Sequence, residues 1–272
     1  MSVENYPSFL ITGARGTLGS AVIKELDTAY PHLSYLPFPG DITEARAVKD
    51  FFSNGFSFSH LIHAAAVVST SEATDNPLMA YQTNVNGTGN IVAEFLRSNK
   101  GGHVTYVSSS HVYAPQEFLI DEASAVNPAG VYGRTKLAGE FIAQDVSSLM
   151  GGCLCVARLF SLYSETQEGS YLLPSIRTKV LSSFPVGEIE INGWNNVRDF
   201  SPVDFYARAI IHLSTGGHSG VFNVGSGNGQ TVSDFAQMHA DFTLVNMEQT
   251  RDPYPTKVVA NSSKLQASGF RL

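Results

Sequence analysis

Apolar residues fall along this chain in two alternating patterns, short unbroken runs and stripes spaced three and four apart. Phe9-Leu10-Ile11 is a run suited to a short buried strand, and it stops at Thr12-Gly13. Leu18, Val22, Ile23 and Leu26 then mark one face of a helix over 18–26. A second strand is predicted over 33–38, broken by Pro37 and Pro39, followed by a helix over 43–52 with Thr43 as its N-cap. His60 to Ala66 reads as a third strand running into small residues, with His60 and His63 bracketing and capping it. Residues 76–98 read as one long helix, with Pro77 near its start, where a missing N–H costs nothing. A strand over 103–108, a helix over 129–148 and a strand over 153–160 follow.

Strands alternating with helices predict a parallel sheet covered on both faces, an α/β fold of the doubly wound type. The strand runs are apolar on both sides, as such a sheet requires. The second half is less regular. Gly225-Ser226-Gly227-Asn228-Gly229, with Thr231 as a helix cap behind it, predicts a small lobe interleaved with the main domain.

Composition adds exclusions. The 272 residues are 43% hydrophobic and 15% charged, enough apolar material for one sizeable α/β domain with a small lobe. The formal net charge is -7 and no basic run stands out, which disfavours a nucleic-acid partner. Residues 1–9 carry no basic start with an apolar stretch, and no apolar run is long enough to span a bilayer, so no membrane partner is expected. Cys153 and Cys155 lie two apart in an apolar strand, unsuited to a disulfide, so a reducing, cytoplasmic setting is expected. The eight histidines show no metal-ligand spacing, and no metal is predicted.

Thr12-Gly13-Ala14-Arg15-Gly16-Thr17-Leu18-Gly19 follows the first strand and opens the first helix. Gly13 suits a tight turn, Gly16 a close backbone approach to a pyrophosphate, and Gly19 close packing of helix on sheet. The helix N-terminus offers free amides to the anion. This predicts a nicotinamide dinucleotide held by Gly13, Arg15, Gly16, Thr17, Leu18 and Gly19. No acidic residue follows the second strand until Asp41, and Arg15 stands where it meets a 2′-phosphate or simply solvent. NADP is therefore preferred over NAD, with Asp41 and Ile42 placed to touch the adenine.

Tyr132 and Lys136 are four apart on a predicted helix and share one face, about 5–6 Å apart at Cβ. A nearby ammonium lowers the pKa of a phenol, ordinarily about 10, and fits it for proton exchange with a hydroxyl or carbonyl. The strand over 103–108 runs into Ser108-Ser109-Ser110-His111-Val112-Tyr113, placing hydroxyls at the carboxyl end of a parallel strand, where ligands bind.

These segments resemble the NAD-dependent epimerase/dehydratase family, the extended short-chain dehydrogenases that act on nucleotide sugars. The glycine loop, His63-Ala64-Ala65-Ala66, Asn84-Val85-Asn86-Gly87-Thr88, the Ser108 to Tyr113 segment and Tyr132 to Glu140 occur in family order. Arg198-Asp199-Phe200-Ser201-Pro202-Val203-Asp204 and Phe222-Asn223-Val224-Gly225-Ser226-Gly227 follow, as does a family-like ending at Lys264 to Phe270. Tyr132 to Glu140 is especially similar to the dTDP-4-dehydrorhamnose reductases. The resemblance implies a Rossmann domain over 1–160, to which later segments return, and a mainly substrate-binding lobe over 161–272. It implies a catalytic set of Ser109, Tyr132 and Lys136, with Ala64, Ala65, Ala66, Asn84 and Ser108 joining Tyr132 and Lys136 at the cofactor.

On the substrate side the resemblance implies Ser110, His111, Ser161 and Arg198. Arg198 is either a diphosphate ligand or an ion-pair partner of Asp199 or Asp204. His111 is either an extra acid or base or a hydrogen-bonding and packing residue. Tyr113 and Tyr171 are candidates to stack on a base or to pack in the core. The dehydratases carry Asp where this chain has Ser110, which points away from dehydration. The resemblance therefore implies an NADP-dependent 4-keto-sugar reductase. A 4-epimerase with retained NAD and a non-catalytic NADP-binding regulatory subunit are the alternatives. The expected partner is a nucleotide sugar, and a homodimer is expected through the helices over 76–98 and 129–148.

Overall fold

Burial decides where the first strands lie. Phe9–Thr12 (β1) is buried at every residue, and helix Thr17–Ala29 (α1) hides Gly19, Ala21, Val22 and Leu26 against it. The elements that follow are Tyr35–Pro37 (β2), Ala45–Phe52 (α2), His60–His63 (β3), Thr70–Asp75 (α3), Pro77–Tyr81 (α4), Thr88–Ser98 (α5), His103–Ser109 (β4), Val131–Met150 (α6) and Cys153–Leu159 (β5). The computed structural model describes residues 9–114, 116–167, 171–182, 188–190, 193–239, 246–248 and 256–272. Residues 1–8, where no leader pattern is expected, lie outside it.

The second half comprises Ser161–Tyr163 (β6), Leu172–Ser182 (α7), Glu188–Glu190 (β7), Val197–Arg198 (β8), Phe200–Pro202 (β9), Val203–Thr215 (α8), Gly220–Val224 (β10), Gln230–Thr231 (β11), Val232–His239 (α9), Asn246–Glu248 (β12), Lys257–Val258 (β13) and Ser263–Ala267 (α10). The main sheet has six parallel strands in the order β10-β5-β4-β3-β1-β2. β1 is flanked by β2 on one side and β3 on the other, so the strand order reverses there and opens a crevice above their carboxyl ends. One face is covered by α1 and α8, whose Val22, Leu26, Tyr206 and Ile210 meet Phe9 and Ile11. The other is covered by α2, α5 and α6, with Val48, Ile91, Phe95 and Ala143 around Leu10 and Leu61. The lobe has its own core of Ile176, Trp194, Val232 and Ala236. α8, β10 and α10 return from it to the main body, and Leu265 joins the core beside Phe222.

Three expectations are corrected. Thr43 does not cap α2: that helix starts at Ala45 behind Glu44, and Asp41 Oδ1 accepts both the Thr43 N–H and its hydroxyl at 2.8 Å. The stretch 76–98 is not one helix. Asn76 caps α4 by accepting the Met79 N–H, and Gln82–Gly87 forms a π-helical turn before α5. Nor does His63 cap its strand, because it is enclosed between Thr12 and Thr88. Elsewhere the local chemistry acts as expected. Thr231 accepts the Asp234 N–H at the head of α9, and α6 ends at Gly151, whose φ of 70° suits glycine alone. Among the described residues no helix is long and apolar enough to cross a membrane.

Candidate active site

The glycine loop is tight enough to exclude side chains. Gly13 has φ 70°, and a Cβ there would lie 2.6 Å from the Ala65 nitrogen; one on Gly19 would lie 2.2 Å from the Gly13 oxygen. The loop therefore seats directly on the Ala64-Ala65-Ala66 turn after β3. Gly16 stands at the N-cap of α1, no side chain caps the helix, and its first turn holds no acidic residue. The leading amides around Thr17 and Leu18 thus face the crevice as an anion cradle. Arg15 is exposed on the same loop and makes no ion pair among the described residues. Asp41 is exposed, whereas the Ile42 side chain is packed in the core against Gly87.

Beneath this cradle runs a directional chain of hydrogen bonds. The Ala65 N–H donates to Thr12 Oγ1 at 3.2 Å, Thr12 Oγ1 lies 2.6 Å from His63 Nδ1, His63 Nε2 lies 2.9 Å from Thr88 Oγ1, and Thr88 Oγ1 donates to the Asn84 carbonyl at 2.7 Å. Each hydroxyl has one proton, so the order assigns the His63 proton to Nε2. Burial, with the Lys136 charge beside it, lowers the His63 pKa from 6.5 to about 3, and the ring is neutral. Asn84 is fully buried. Its amide gives Val67 O and Thr135 Oγ1 its two protons and takes the Val67 N–H. Asn84, expected among the cofactor contacts, clamps the Ala64–Val67 turn to α6 through these bonds.

Ser109 ends β4, and α6 brings Tyr132 and Lys136 over it one turn apart. The Ser109 side chain is near the Tyr132 phenol and favours its ionisation, against the larger effect of burial. Lys136 is 3% exposed, with Nζ over the Tyr106 ring, 4.4 Å from its centroid. The expected acidification of the phenol by this lysine is not what the structure shows. Burial raises Tyr132 from 10.0 to about 12, opposed by the neighbouring Ser109 hydroxyl. Burial also lowers Lys136 to about 7, opposed by Glu140. The phenol is therefore held protonated near neutral pH.

Two close fits fix α6 in this place. A Cβ on Gly139 would lie 2.1 Å from the Tyr106 hydroxyl and 2.7 Å from the Asn84 carbonyl, and one on Gly133 would lie 2.3 Å from the His111 carbonyl. Sequence reasoning missed a third. Glu140 is buried, accepts the Ser108 hydroxyl, and holds Arg158 of β5 through two hydrogen bonds. Arg158 covers the Tyr113 ring at 4.7 Å, and the Tyr113 hydroxyl donates to Asn223 Oδ1 at 2.7 Å. Tyr113 is thus a core residue, not a stacking surface. The signal for the pair was an arginine in an otherwise apolar, doubly covered strand.

His111 is exposed at the crevice, edge-on to Tyr132 with ring centroids 5.4 Å apart. Desolvation and the nearby Arg198 charge lower its pKa. Arg198 forms neither expected ion pair: it donates to the carbonyls of Val197 and Thr256 and to Thr256 Oγ1. Asp199 is buried and accepts instead from Ser226, Gly227 and Ala260, fixing the Gly225–Gly229 turn. Ser110 is buried, and Ser161 is half-buried with its N–H on the Asp199 carbonyl. Tyr171 couples electrostatically to both Tyr132 and Glu72, at the edge of an open cleft lined by Ser69, Asp75 and Met79.

Comparison with known proteins gives this geometry its kin. Residues 9–225 match the model of the NAD dependent epimerase/dehydratase family. A GDP-6-deoxy-D-mannose reductase of Pseudomonas aeruginosa is 27% identical over 252 residues, 89% of this chain and 82% of the relative. A UDP-glucose 4-epimerase of Lactobacillus helveticus is 24% identical over 299 residues, 94% of this chain and 88% of the relative. Among solved structures, RMD from Pseudomonas aeruginosa complexed with NADPH superposes with a TM-score of 0.85 at 25% identity, covering 97% of this chain and 93% of that one. The fold is shared with the Thermus thermophilus UDP-glucose 4-epimerase complex with NAD, at a TM-score of 0.82 and 20% identity over 97% of this chain and 93% of that one. With the family's model matched from the first strand to the turn after the last strand of the main sheet, this chain belongs to the NAD dependent epimerase/dehydratase family.

Proposed function

We propose that the chain is a nicotinamide-dependent reductase of a 4-keto nucleotide sugar. The observation that carries this reading is the placement of Tyr132, which α6 sets over the end of β4 beside Ser109 and edge-on to His111, with burial favouring its protonated form. Such a group is poised to give a proton to a more basic alkoxide oxygen, which is what carbonyl reduction needs. The relative named as a GDP-6-deoxy-D-mannose reductase, and the likeness to a structure holding NADPH, support it.

The residues present fit a dinucleotide. Gly13 and Gly19 close a loop that a Cβ at either would obstruct, and the uncapped amides of α1 behind Gly16 suit a pyrophosphate. Thr17, Leu18 and the Ala64–Ala66 turn would line its path, with Asp41 and the backbone of Ile42 toward the adenine, the Ile42 side chain being packed in the core. Lys136 and Tyr132 would hold the nicotinamide ribose, and Ser108 would border it. Arg15, free of ion pairs among the described residues, favours NADP over NAD. The cofactor supplies the hydride when bound.

The chain's own part is to orient and to protonate. Ser109 fixes the substrate oxygen, Tyr132 donates its proton to it, and Lys136 sits beneath as the buried cation. Arg198, Ser161, Ser110 and His111 form the substrate side, with the Arg198 guanidinium facing the diphosphate. The test is oxidation of NADPH and NADH with a panel of GDP-, UDP- and dTDP-4-keto sugars; turnover with one of them is expected. Epimerase relatives favour a second reading, a 4-epimerase using the same residues. NAD retained through purification, with no net cofactor oxidation, would select it. A homodimer accompanies either reading, through Leu78 and Tyr81 of α4 and Phe141 of α6, which are exposed apolar side chains on packed neighbouring helices.

A further inference from the structure

The arginines of this chain differ in what neutralises them. Arg158 and Arg177 are held by the carboxylates of Glu140 and Glu165. Arg198 is half-buried and pairs with no carboxylate among the described residues; its acceptors are two carbonyl oxygens and a hydroxyl. Nη1 donates to Val197 O at 2.9 Å and to Thr256 O at 2.8 Å, and Nη2 donates to Thr256 Oγ1 at 2.8 Å. Thr256 thus accepts from both nitrogens at the end of the guanidinium, with its carbonyl on one and its hydroxyl on the other. The Nε–H and the second Nη2–H, two parallel donors along the side of the guanidinium, have no acceptor among the described residues. Such a pair matches two oxygens of one phosphate.

Thr256 is itself fixed. Its N–H donates to Asn196 Oδ1 at 2.7 Å, and its hydroxyl donates to the same oxygen at 3.1 Å. With its one proton spent on Asn196, that hydroxyl can only accept from Arg198. Asn196 is packed as closely, since a Cβ on Gly193, at φ 69°, would lie 2.1 Å from Asn196 Nδ2. We propose that Thr256, set by Asn196, is a positioning residue that grips one edge of the Arg198 guanidinium and so presents the other edge to two oxygens of a diphosphate. The grip rests on the reading in which Arg198 faces the diphosphate of a nucleotide sugar.

The choice of neutral partners has a physical use. A carboxylate at Thr256 would fix the guanidinium equally well, but it would compete with the phosphate for the charge. Carbonyls and a hydroxyl set its direction and leave the charge whole. Burial lowers the Arg198 pKa and no acidic neighbour offsets it, as expected of a cation that a bound anion completes. An arginine held before the ligand arrives also loses less rotamer freedom on binding than one free in solvent.

Two measurements on the full chain decide it. Thr256→Val keeps the β-branched shape beside the pairing of β13 with β8 but offers Nη2 no acceptor, and Thr256→Ser restores one. In 15N-resolved spectra of the arginine side chains, recorded cold and without ligand, the Nη1 and Nη2 protons of Arg198 should give separate signals in the wild type and in Thr256→Ser. They should merge in Thr256→Val, where the guanidinium is free to rotate. In titrations with UDP, GDP and dTDP, at least one should bind. Thr256→Val should hold it roughly 3- to 10-fold more weakly, and Thr256→Ser near the wild-type strength. Merged signals in the wild type, or separate ones kept in Thr256→Val, overturn the grip. So does a diphosphate that Thr256→Val binds as tightly as the wild type while Arg198→Met binds it more weakly. Signals that behave as expected in a chain whose Arg198→Met variant loses no diphosphate affinity, or that binds none of the three, support the grip and fault the diphosphate reading.

Discussion

Glu140 grips Arg158 across the gap between α6 and β5, with Arg158 Nε 2.9 Å from Oε1 and Nη2 2.6 Å from Oε2, both side chains 7% exposed. Lys136 lies one turn earlier on the same helix and feels the Glu140 charge, while Ser108 donates to the same carboxylate. This carboxylate therefore ties α6 to two central strands, β5 through the ion pair and β4 through Ser108.

Breaking that pair leaves an uncompensated charge in the core. Glu140→Ala should lose about 3–5 kcal/mol of stability, read as a lower urea midpoint at unchanged slope. The double variant Glu140→Leu with Arg158→Leu should recover a good part of the loss, because neither charge is then stranded. A single variant as stable as the wild type would show that Arg158 finds solvent or another partner.

Tyr132 and Lys136 should separate when turnover and cofactor affinity are measured together. Tyr132→Phe removes the transferable proton and should lower kcat by roughly 10²–10⁴-fold, with cofactor affinity little changed. Lys136→Met removes the buried amine proposed to hold the ribose and should weaken cofactor binding as well as turnover. Equal affinity losses in the two variants would remove the division of roles.

Much of this was legible in the sequence. Unbroken apolar runs located β1, β3, β4 and β5, and the glycines of 13–19 set the loop between β1 and α1. Four-residue spacing put Tyr132 and Lys136 on one face of α6, whereas Ser109 was singled out among the serines ending β4 only by the family resemblance. What escaped needed the third dimension. The π-turn at Gln82–Gly87 adds one residue to a helical turn, too small a shift for apolar spacing to register. The Thr12–His63–Thr88 chain joins three segments distant in sequence, and so does the Glu140–Arg158 pair. The direction of the Tyr132 pKa escaped because four-residue spacing shows that a lysine is near, not that burial outweighs it or that the ammonium turns toward Tyr106.

The exposed apolar residues of α4 and α6 predict association. Leu78 is 83% exposed and Phe141 61%, on helices that pack against each other. In light scattering the wild type should run at twice its chain mass, and Phe141→Glu should run as a folded monomer. A wild-type monomer at tens of micromolar would refute the dimer.

His63 makes stability depend on pH. Its pKa falls from 6.5 to about 3 on folding, so between those values the unfolded chain binds a proton that the folded chain refuses. Stability from this residue is complete above about 6.5 and is lost as pH falls toward 3, at up to about 1.4 kcal/mol per pH unit. His103 and His218, also lowered by burial, act in the same sense. His63→Gln keeps an amide between Thr12 and Thr88 but has nothing to titrate. It should be less stable than the wild type at pH 7.5, by about 1–3 kcal/mol for imperfectly met hydrogen bonds. Its urea midpoint should nonetheless fall less steeply from pH 6.5 to 4.5, so the two curves converge. Parallel curves would mean that His63 is protonated in the folded chain, and the Thr12–His63–Thr88 order of donors would then be wrong.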